Sequence, residues 1–498
     1  MSRALTRGHG PTIVGLLVFA VALWAQTGAM VGVFYDDGIY VAIAKALAEG
    51  RGLVSLHLPG APPAVHYPPL YPVALAGLWR LWPDFPANVV LFQLFDAAAL
   101  GAATWIMVHH AGRTALPPMA RYLALTIGVT AFPMLTLVGV RFSEPLFLAL
   151  LAGAVCVADG DDVGPGKAVA AGVLAGLATL TRSIGVAAIV GIPLALLLRR
   201  RRGAAGVALI AALAVSAPWW LWLAAHGDSV DPLLATNYGT YTQYAGQAGV
   251  VGLLAGLDLA SLQPFSRLLV PALPTPIWLA VTAMVSGAVV VGAVALARRV
   301  PTLLIVLVPY VGMVTLWPFT PDRFMWILLP WMALLATAGS LRAWQWGWWG
   351  RIPVLVLTTV IVAGFGWRQV VSVTDRQFAM TAERASRPFA LLTAGIRTGT
   401  PENAIIASDG EAMIYLYTGR SAVPLFLFEL EGRRMQSVGA DATQRYLCTQ
   451  GVTHVATSWL GGDALPLLDT LGAGGSSVMT PLFTVVDGPA LYRFRCPL

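Results

Sequence analysis

The sequence predicts a polytopic α-helical membrane protein that ends in a small α/β domain. Of its 498 residues, 57% are apolar and only 11% are charged, and the mean hydropathy is +0.73. A soluble domain carries roughly 25% charged residues, so this composition excludes an ordinary soluble enzyme. Long apolar runs fill residues 1–370, whereas the runs shorten and charge rises in residues 371–498. We therefore expect a membrane module over 1–370 and a separate domain over 371–498.

Eleven apolar runs are candidates for membrane-spanning helices, since a span needs roughly 20 apolar residues. The runs at 143–158 and 167–181 are short for this purpose. The full set is 11–33, 87–109, 119–139, 143–158, 167–181, 183–198, 204–225, 275–297, 302–318, 324–341 and 352–370. Two of the connecting segments, 34–86 and 227–274, are long enough to hold a functional site.

Arginine and lysine residues in the loops predict the orientation of the chain. Counting alternate sides before residue 371 gives thirteen on the N-terminal side and seven on the other. We therefore expect a protein of the inner (plasma) membrane with a cytoplasmic N-terminus and with 34–86, 227–274 and 371–498 outside the cytoplasm. The net charge of +7 is spread over these loops, so it indicates contact with membrane lipids and no nucleic acid partner.

Residues 371–498 alternate between helix-like and strand-like pieces, which predicts the small α/β domain. The predicted pieces are helices in 382–399, 410–419 and 442–451, strands in 404–409 and 454–458, and a hairpin in 482–495. Cys448 and Cys496 both fall in this region. A single bridge between them is predicted if the region faces an oxidising compartment.

Two adjacent carboxylates, Asp36 and Asp37, follow the first run and begin a helix-like stretch that ends at Gly50. Asp is a favoured residue at helix N-termini, so capping explains one of the two. The second needs another reason, because an unpaired carboxylate close to a bilayer is costly. The functional interpretation is that one carboxylate accepts a proton from a hydroxyl, while the other orients the acceptor or binds a cation. A divalent cation is therefore a candidate cofactor.

Three arginines, Arg141, Arg182 and Arg323, stand at the outer ends of predicted spans. Each one alone is explained by snorkelling to the membrane interface. Together, on the predicted side of the acidic pair, they favour binding of an anionic headgroup, because guanidinium forks suit phosphate oxygens. Glu144 lies one helical turn after Arg141 and is predicted to pair with it or to contact a sugar hydroxyl. Asp322 is predicted to be a local charge partner of Arg323.

The remaining polar motifs are less informative. His66 lies in a proline-rich turn without Cys, His or Asp at metal-ligand spacing, so ordinary loop hydrogen bonding is the simplest interpretation. Tyr238, Tyr241 and Tyr244 recur at helical spacing, which favours packing and leaves sugar stacking as the alternative. Walker, Rossmann, HExxH and GxSxG motifs are missing in their required context, which argues against an ATP-driven pump or a serine hydrolase.

The first outer segment resembles that of GT-C fold glycosyltransferases. It is most similar to bacterial members related to protein O-mannosyltransferases and to lipid A aminoarabinose or galacturonic acid transferases. Those proteins have an acidic pair, a tyrosine, a glycine-flanked turn and an H-x-P-P-L element. The matching pieces here are FYDDGIY at 34–40, GRG at 50–52 and HYPPLY at 66–71, followed by RFSE at 141–144, LTR at 180–182, DRF at 322–324 and YTGR at 417–420.

This resemblance implies a GT-C-like fold, a polyprenyl-phosphate sugar donor, an inverting transfer and an active site at the outer membrane face. It makes Asp36 the candidate general base, assisted by Asp37, which replaces the commoner Glu. The implied donor-phosphate residues are Arg182, Arg323 and Arg141, and the implied substrate-binding residues are Tyr40, His66, Tyr67 and Glu144. The acceptor, a glycan, a lipid or a protein, is not implied.

Two other functions are compatible with these residues. A transporter or flippase of a lipid-linked sugar would bind phosphate with the arginines and relay protons through the acids. It predicts inverted repeats and mid-membrane polar residues, yet no convincing repeat is visible and Asp96 is the main ionisable residue inside a run. A noncatalytic accessory protein whose outer domain binds a partner is the third possibility. The acidic pair favours the enzyme.

Overall fold

The computed structural model describes residues 9–241, 243, 275–316, 322–431, 434–458, 464–472 and 478–496. Of the predicted outer segment 227–274, residues 242 and 244–274 lie outside the described residues, and Tyr244 is among them. The described part of the chain is mostly helical, with strands confined to residues 405–494.

The α-helices alternate with short turns up to residue 399 and with strands thereafter. They are Gly10–Trp24, Asp36–Ala48, Leu70–Leu81, Val89–His110, Pro118–Val129, Phe132–Gly139, Glu144–Ala158, Pro165–Thr181, Val186–Leu198, Arg202–His226, Ala235–Tyr238, Thr275–Leu296, Pro301–Thr315, Asp322–Trp326, Leu329–Ala343, Trp348–Val360, Trp367–Thr374, Gln377–Gly399, Glu411–Thr418, Ala440–Thr449 and Ala464–Leu471. A π-helical segment, Ile361–Gly366, joins Trp348–Val360 to Trp367–Thr374.

Four helical stretches of the described chain are long and apolar enough to cross a membrane: Val89–Arg113, Arg202–Ser229, Pro276–Leu296 and Trp348–Thr374. A bent pair of shorter helices raises the number to five. Other apolar helices have fewer than 18 residues, and 15 residues of helix extend only about 22 Å against roughly 30 Å of hydrocarbon. Membrane-spanning helices are therefore present, but the predicted number of eleven is not confirmed.

Two predicted spans differ from the helices observed. The run 119–139 forms two helices, Pro118–Val129 and Phe132–Gly139, that meet at 51°. Pro133 lies at the start of the second helix, where the missing N–H of proline is tolerated but a continuous helix is not. The run 11–33 is helical only to Trp24. Its later apolar residues lie in non-helical chain, where Val31 is buried at 0% exposure.

The chain divides into two compact units. Unit 1 comprises Met1–Gln26, Gln93–Trp219 and Leu254–Ala379, and unit 2 comprises Thr27–Phe92, Trp220–Leu253 and Met380–Leu498. The predicted domain boundary between residues 370 and 371 stays a prediction. Within unit 1, Thr275–Leu296 packs closely on Leu329–Ala343. Gly292 and Gly339 permit this contact, because an added Cβ at either position would collide with backbone of the other helix.

The sheet of unit 2 has five strands in the order β2-β1-β5-β7-β6. Strands β1 (Ile405–Ser408), β2 (Ser421–Pro424) and β5 (His454–Thr457) are parallel, and β7 (Ala490–Phe494) runs antiparallel to β5 and β6 (Met479–Thr484). A separate hairpin consists of β3 (Phe428–Glu431) and β4 (Arg434–Ser437). The helices, two strands and final hairpin predicted for this region are confirmed, whereas β2, the β3–β4 hairpin and the helix Ala464–Leu471 were not predicted.

The core of this domain forms between the long helix Gln377–Gly399 and the sheet. Phe389, Leu392 and Ile396 on that helix pack against Ile406 of β1 and Leu491 of β7. Cys448 and Cys496 form a disulfide with their Cα atoms 5.5 Å apart. The predicted bridge is confirmed.

Candidate functional site

Asp36 begins the helix Asp36–Ala48 in unit 2 and is half-buried. The hydroxyl of Tyr67 donates a hydrogen bond of 2.6 Å to its Oδ1 atom. Burial and the charge of Asp36 raise the pKa of Tyr67 well above 10.0, so the phenol remains a proton donor at neutral pH. This partner fixes one carboxylate oxygen of Asp36 while the residue keeps partial access to solvent.

Asp37 is fully buried and holds the turn that precedes the helix. Its Oδ2 accepts a hydrogen bond of 2.6 Å from the backbone N–H of Gly32, and its Oδ1 accepts one of 3.0 Å from that of Phe34. Gly32 has a φ of +102° and Tyr35 a φ of +68°, so the turn needs such stabilisation. These two bonds hold the turn before the helix and not the first N–H groups of the helix itself, and the N-cap residue, Tyr35, makes no side-chain capping hydrogen bond. The capping interpretation is therefore not confirmed.

His66 and Tyr40 complete the surroundings of Tyr67. His66 donates from Nδ1 to the carbonyl oxygen of Gly239 over 2.8 Å, and its ring lies edge-on to Tyr67 at 4.5 Å. Burial lowers the pKa of His66, so the ring is neutral near pH 7. Tyr40 is 2% exposed and packs edge-on against the rings of Tyr67 and Tyr71. The structure thus brings Asp36, Tyr67, His66 and Tyr40 together, with Tyr40 in a packing position.

A second buried cluster in unit 2 centres on Glu411, at the start of the helix Glu411–Thr418. The Tyr238 hydroxyl donates a 2.5 Å hydrogen bond to Oε1 of Glu411, and His57 Nε2 lies 2.8 Å from the same hydroxyl. Burial raises the pKa of Glu411 to about 7, although the Tyr238 bond opposes the shift. Burial lowers the pKa of His57 to about 3, so His57 is a neutral donor here.

Unit 1 contains the predicted arginines together with Glu144. Glu144 is fully buried, and its Oε1 accepts hydrogen bonds from Nε and Nη2 of Arg323 at 3.1 and 2.8 Å. Arg182 Nη1 lies 3.0 Å from the same oxygen and 3.1 Å from Ser143 Oγ. The Arg323 guanidinium also covers the ring of Phe142 at 3.9 Å. We call Glu144, Arg182 and Arg323 the arginine clamp.

Arg141 lies in the turn that leads into the helix Glu144–Ala158. Its side chain is fully buried and its φ is +57°. Arg141 places a positive charge inside unit 1, close in sequence to Glu144 of the clamp. Burying a guanidinium group is costly. The recorded ion pairs of Glu144 run to Arg182 and Arg323, and Arg323 pairs with Glu144 rather than with the predicted Asp322.

In the arginine clamp two guanidinium groups share one carboxylate oxygen, Oε1 of Glu144. The side chain of Arg323 is 30% exposed, whereas that of Arg182 is 10% exposed. Glu144 therefore orients both guanidinium groups. Such an arrangement suits an oxyanion such as a phosphate.

Metal ligands were a further candidate feature. Over the residues that the structure describes, no group of three or more His, Cys, Asp or Glu side chains lies close enough together to hold a metal ion.

Of the Glu411 cluster, the sequence patterns point only to Tyr238. Asp409 and Glu411 directly follow β1, and β1 is parallel to both its neighbours. Functional side chains often follow the carboxyl ends of parallel strands, so the SDGE sequence at 408–411 was a usable signal. Nothing comparable in the sequence points to His57.

Comparison with protein families decides the class of the protein. The model of glycosyltransferase family 87 matches residues 66–316, which are 251 of 498 residues and half of the chain. The chain belongs to glycosyltransferase family 87. This membership favours the enzyme over a transporter or an accessory protein. No curated protein sequence matches this glycosyltransferase.

Solved structures with a similar fold include two glycosyltransferases. ArnT from Cupriavidus metallidurans, bound to undecaprenyl phosphate, has a TM-score of 0.54 at 14% identity, covering 97% of this chain and 98% of that one. The apo state of ArnT gives 0.55 at the same identity over 97% and 96%. The oligosaccharyltransferase AglB from Archaeoglobus fulgidus, in complex with an inhibitory peptide and a dolichol-phosphate, gives 0.50 at 11% identity over 91% and 70%. This family 87 glycosyltransferase therefore has the predicted GT-C fold.

Proposed function

We propose that this membrane glycosyltransferase transfers a hexosyl or pentosyl group from a polyprenyl-phosphate donor to an acceptor hydroxyl, with inversion. The observation that carries the proposal is Asp36, a half-buried carboxylate fixed by Tyr67 at the start of a helix. The bound lipids of ArnT and AglB, undecaprenyl phosphate and dolichol-phosphate, support a donor of the same kind.

In the proposed reaction Asp36 is the general base. It takes the proton of the acceptor hydroxyl as the acceptor oxygen attacks the anomeric carbon. The bond between that carbon and the phosphate oxygen breaks, and the phosphate leaves with the electron pair. Asp37 is a poorer candidate, because both its oxygens already accept backbone N–H groups and its side chain is fully buried.

The arginine clamp is proposed to bind the donor phosphate and to stabilise the charge that develops on it. Arg323 offers the more exposed guanidinium and Arg182 the second, with Arg141 as a further buried charge. A neutral His66 and Tyr67 are proposed to contact the substrate beside Asp36, as hydrogen-bonding groups without charge.

The proposed location is the inner (plasma) membrane, with the N-terminus in the cytoplasm and residues 371–498 outside. The Cys448–Cys496 disulfide supports this orientation, because disulfides persist in oxidising compartments. The acceptor is proposed to be a glycan, a lipid or a protein that displays a hydroxyl on that side.

Transfer by purified protein tests the proposal. The assay presents a panel of undecaprenyl-phosphate hexoses and pentoses together with envelope membranes as the acceptor source. The anomeric configuration of the product, read by NMR, should be opposite to that of the donor. Asp36→Asn should lower the transfer rate by about 10²- to 10⁴-fold, the usual contribution of a general base.

Asp37→Asn is the matched variant, with the same chemical change one residue away. It should weaken the Gly32–Phe34 turn and so lower stability, with a smaller loss of rate in the protein that remains folded. A rate like that of the wild type in Asp36→Asn would remove the proposed base, and a product of retained configuration would remove the proposed mechanism.

A further inference from the structure

A tight turn directly precedes the proposed base. The backbone N–H of Asp36 donates a hydrogen bond of 2.8 Å to the carbonyl oxygen of Phe34, which closes a three-residue turn around Tyr35. Tyr35 has a φ of +68° and a ψ of −70°, the geometry of the rare and strained form of the γ-turn. A bulky residue keeps such a conformation only where its surroundings stabilise it. The direction of the chain at Asp36 therefore depends on the contacts of Tyr35.

The hydroxyl of Tyr35 belongs to the buried cluster around Glu411. It is hydrogen-bonded to the Glu411 carboxyl, and Asn237 Nδ2 donates to it over 3.4 Å. The ring of Tyr35 also contacts the ring of Tyr238, whose hydroxyl donates to the same carboxyl over 2.5 Å. Burial and the charge of Glu411 raise the pKa of Tyr35 well above 10.0, so its hydroxyl remains a proton donor. Glu411 thus anchors the residue that precedes Asp36.

The helix Glu411–Thr418 contacts the same turn in two further ways, all within unit 2. Tyr417, the first residue of the YTGR stretch, accepts the backbone N–H of Val31 at its hydroxyl over 3.0 Å. Gly32 packs closely on this helix, because an added Cβ there would lie 2.8 Å from the Cβ atom of Met413. Hydrogen bonds and packing from one helix of the C-terminal domain therefore fix the chain that leads to the base.

Two sets of contacts act on different parts of Asp36. Tyr67 fixes one oxygen of its carboxylate, whereas Glu411 fixes, through Tyr35, the backbone from which that carboxylate extends. A general base must lie within about 2.6–3.2 Å of the proton that it removes. A displacement of roughly 1 Å is therefore enough to slow a reaction, even when its cause lies away from the reacting atoms.

We propose that Glu411 is a positioning residue for the general base, because it holds Tyr35 in the strained turn and so directs the carboxylate of Asp36. This assignment rests on the proposed role of Asp36 in glycosyl transfer. Glu411 does not touch the substrate in this proposal, and its effect reaches the reaction through Tyr35 and the backbone.

Tyr35→Phe tests the link, since it removes the hydroxyl that binds Glu411 and keeps the ring. With the undecaprenyl-phosphate sugar that the wild type transfers, kcat should fall about tenfold or more. The KM for this donor should stay close to that of the wild type, because no donor-binding group is changed. A loss confined to KM, or no loss of kcat, would overturn the proposal.

Tyr415→Phe is the matched control. Lys45 Nζ donates to the Tyr415 hydroxyl over 3.4 Å, so this contact joins the same two helices at a distance from the turn. Tyr415→Phe should therefore keep the kcat of the wild type. Equal losses of kcat in Tyr35→Phe and Tyr415→Phe would show a general effect of helix packing and overturn the proposal.

A pair of substitutions at Glu411 separates its hydrogen bonds from its bulk. Glu411→Gln keeps an acceptor oxygen for the Tyr35 hydroxyl and should retain most of the wild-type kcat. Glu411→Leu keeps an apolar side chain without an acceptor and should lose about tenfold or more. Equal kcat values in the two variants, measured where both are folded, would overturn the positioning role.

Hydrogen exchange of residues 30–38, read by mass spectrometry, reports on the turn without any substrate. Exchange should be faster in Tyr35→Phe and Glu411→Leu than in the wild type, and unchanged in Tyr415→Phe. Faster exchange combined with a wild-type kcat would make the cluster structural only and overturn the proposal.

Failure of this proposal differs from failure of the proposed function. A wild-type transfer rate in Asp36→Asn would remove the base itself and with it the role assigned to Glu411. Transfer that requires Asp36 but not the Tyr35 hydroxyl would keep the proposed function and remove the positioning role alone.

Discussion

Asp36 in unit 2 and Glu144 in unit 1 carry the same functional group in opposite surroundings. Asp36 is half-buried and accepts a hydrogen bond from the neutral hydroxyl of Tyr67. Glu144 is fully buried and pairs with the guanidinium groups of Arg182 and Arg323. Glu144 thus lies between two cations inside unit 1, whereas Asp36 has a neutral hydrogen-bond partner and keeps partial access to solvent.

The two acids differ in their hydrogen-bond and ion-pair partners, and these partners predict how each acid responds to substitution. The comparison extends to Asp37, which stabilises backbone, and to Glu411, which is buried against hydroxyl groups and has its pKa raised to about 7. Four carboxylates thus have four distinct environments, and each predicts a different response to substitution.

The largest effect is expected from Glu144→Ala. Removing the buried partner of two guanidinium groups should lower the free energy of unfolding by about 3–5 kcal/mol, measured by chemical denaturation in mixed micelles. The control is Glu49→Ala, because Glu49 forms an exposed pair with Lys45 and should contribute about 0.5 kcal/mol or less. Equal losses in the two variants would mean that Glu144 is not the counter-charge of the clamp.

Glu411 should make stability depend on pH. Its folded-state pKa of about 7 lies above the ordinary value of 4.5, so the folded protein holds this proton more tightly than the unfolded chain. The resulting stability is complete below pH 4.5 and declines as the pH rises to about 7, by up to about 3 kcal/mol. Melting temperatures of wild type and Glu411→Gln between pH 4.5 and pH 8 measure this difference.

The exposed Glu402 supplies the control for that titration, since it lies in the same domain before β1. Glu402→Gln should keep the pH slope of the wild type, while Glu411→Gln should flatten it. A wild-type slope in Glu411→Gln would show that burial of Glu411 does not govern the pH response.

Arg323→Gln tests whether donor binding depends on the arginine clamp and not on Asp36. A charge-assisted hydrogen bond contributes about 1.5–3 kcal/mol, so binding of undecaprenyl phosphate should weaken roughly tenfold or more. Asp36→Asn should leave that binding close to wild type while it lowers the transfer rate by about 10²- to 10⁴-fold. Native mass spectrometry in undecaprenyl phosphate titrations measures both, and Arg113→Gln, which breaks an exposed pair with Asp161, is the matched control.

The smallest effect is expected from Tyr67→Phe, which removes the hydrogen bond to Asp36 and leaves the ring packing intact. Loss of one such bond should reduce kcat by about tenfold, equivalent to roughly 1.4 kcal/mol. The bond fixes one oxygen of Asp36, so its loss should act on kcat more than on KM. A kcat like that of the wild type would separate Tyr67 from the function of Asp36.

Sequence patterns gave the α/β domain and most of its elements in residues 382–495, because apolar periodicity and turn residues act locally. The Asp36–Tyr67 neighbourhood followed from the resemblance of two short motifs. The span number did not follow, since the 119–139 run bends and several apolar helices are short. Apolar composition marks burial, whether in lipid or in protein, and so it does not fix helix length.

By itself the sequence determined a membrane-spanning protein, the acidic pair, the Cys448–Cys496 bridge and the candidate arginines. Tertiary structure decided the partners of the acids. Asp37 accepts hydrogen bonds from backbone N–H groups, Glu144 pairs with two arginines, and Glu411 accepts a hydrogen bond from Tyr238. Hydrogen bonds join residues up to 386 positions apart, and no local pattern records which distant groups share one buried space.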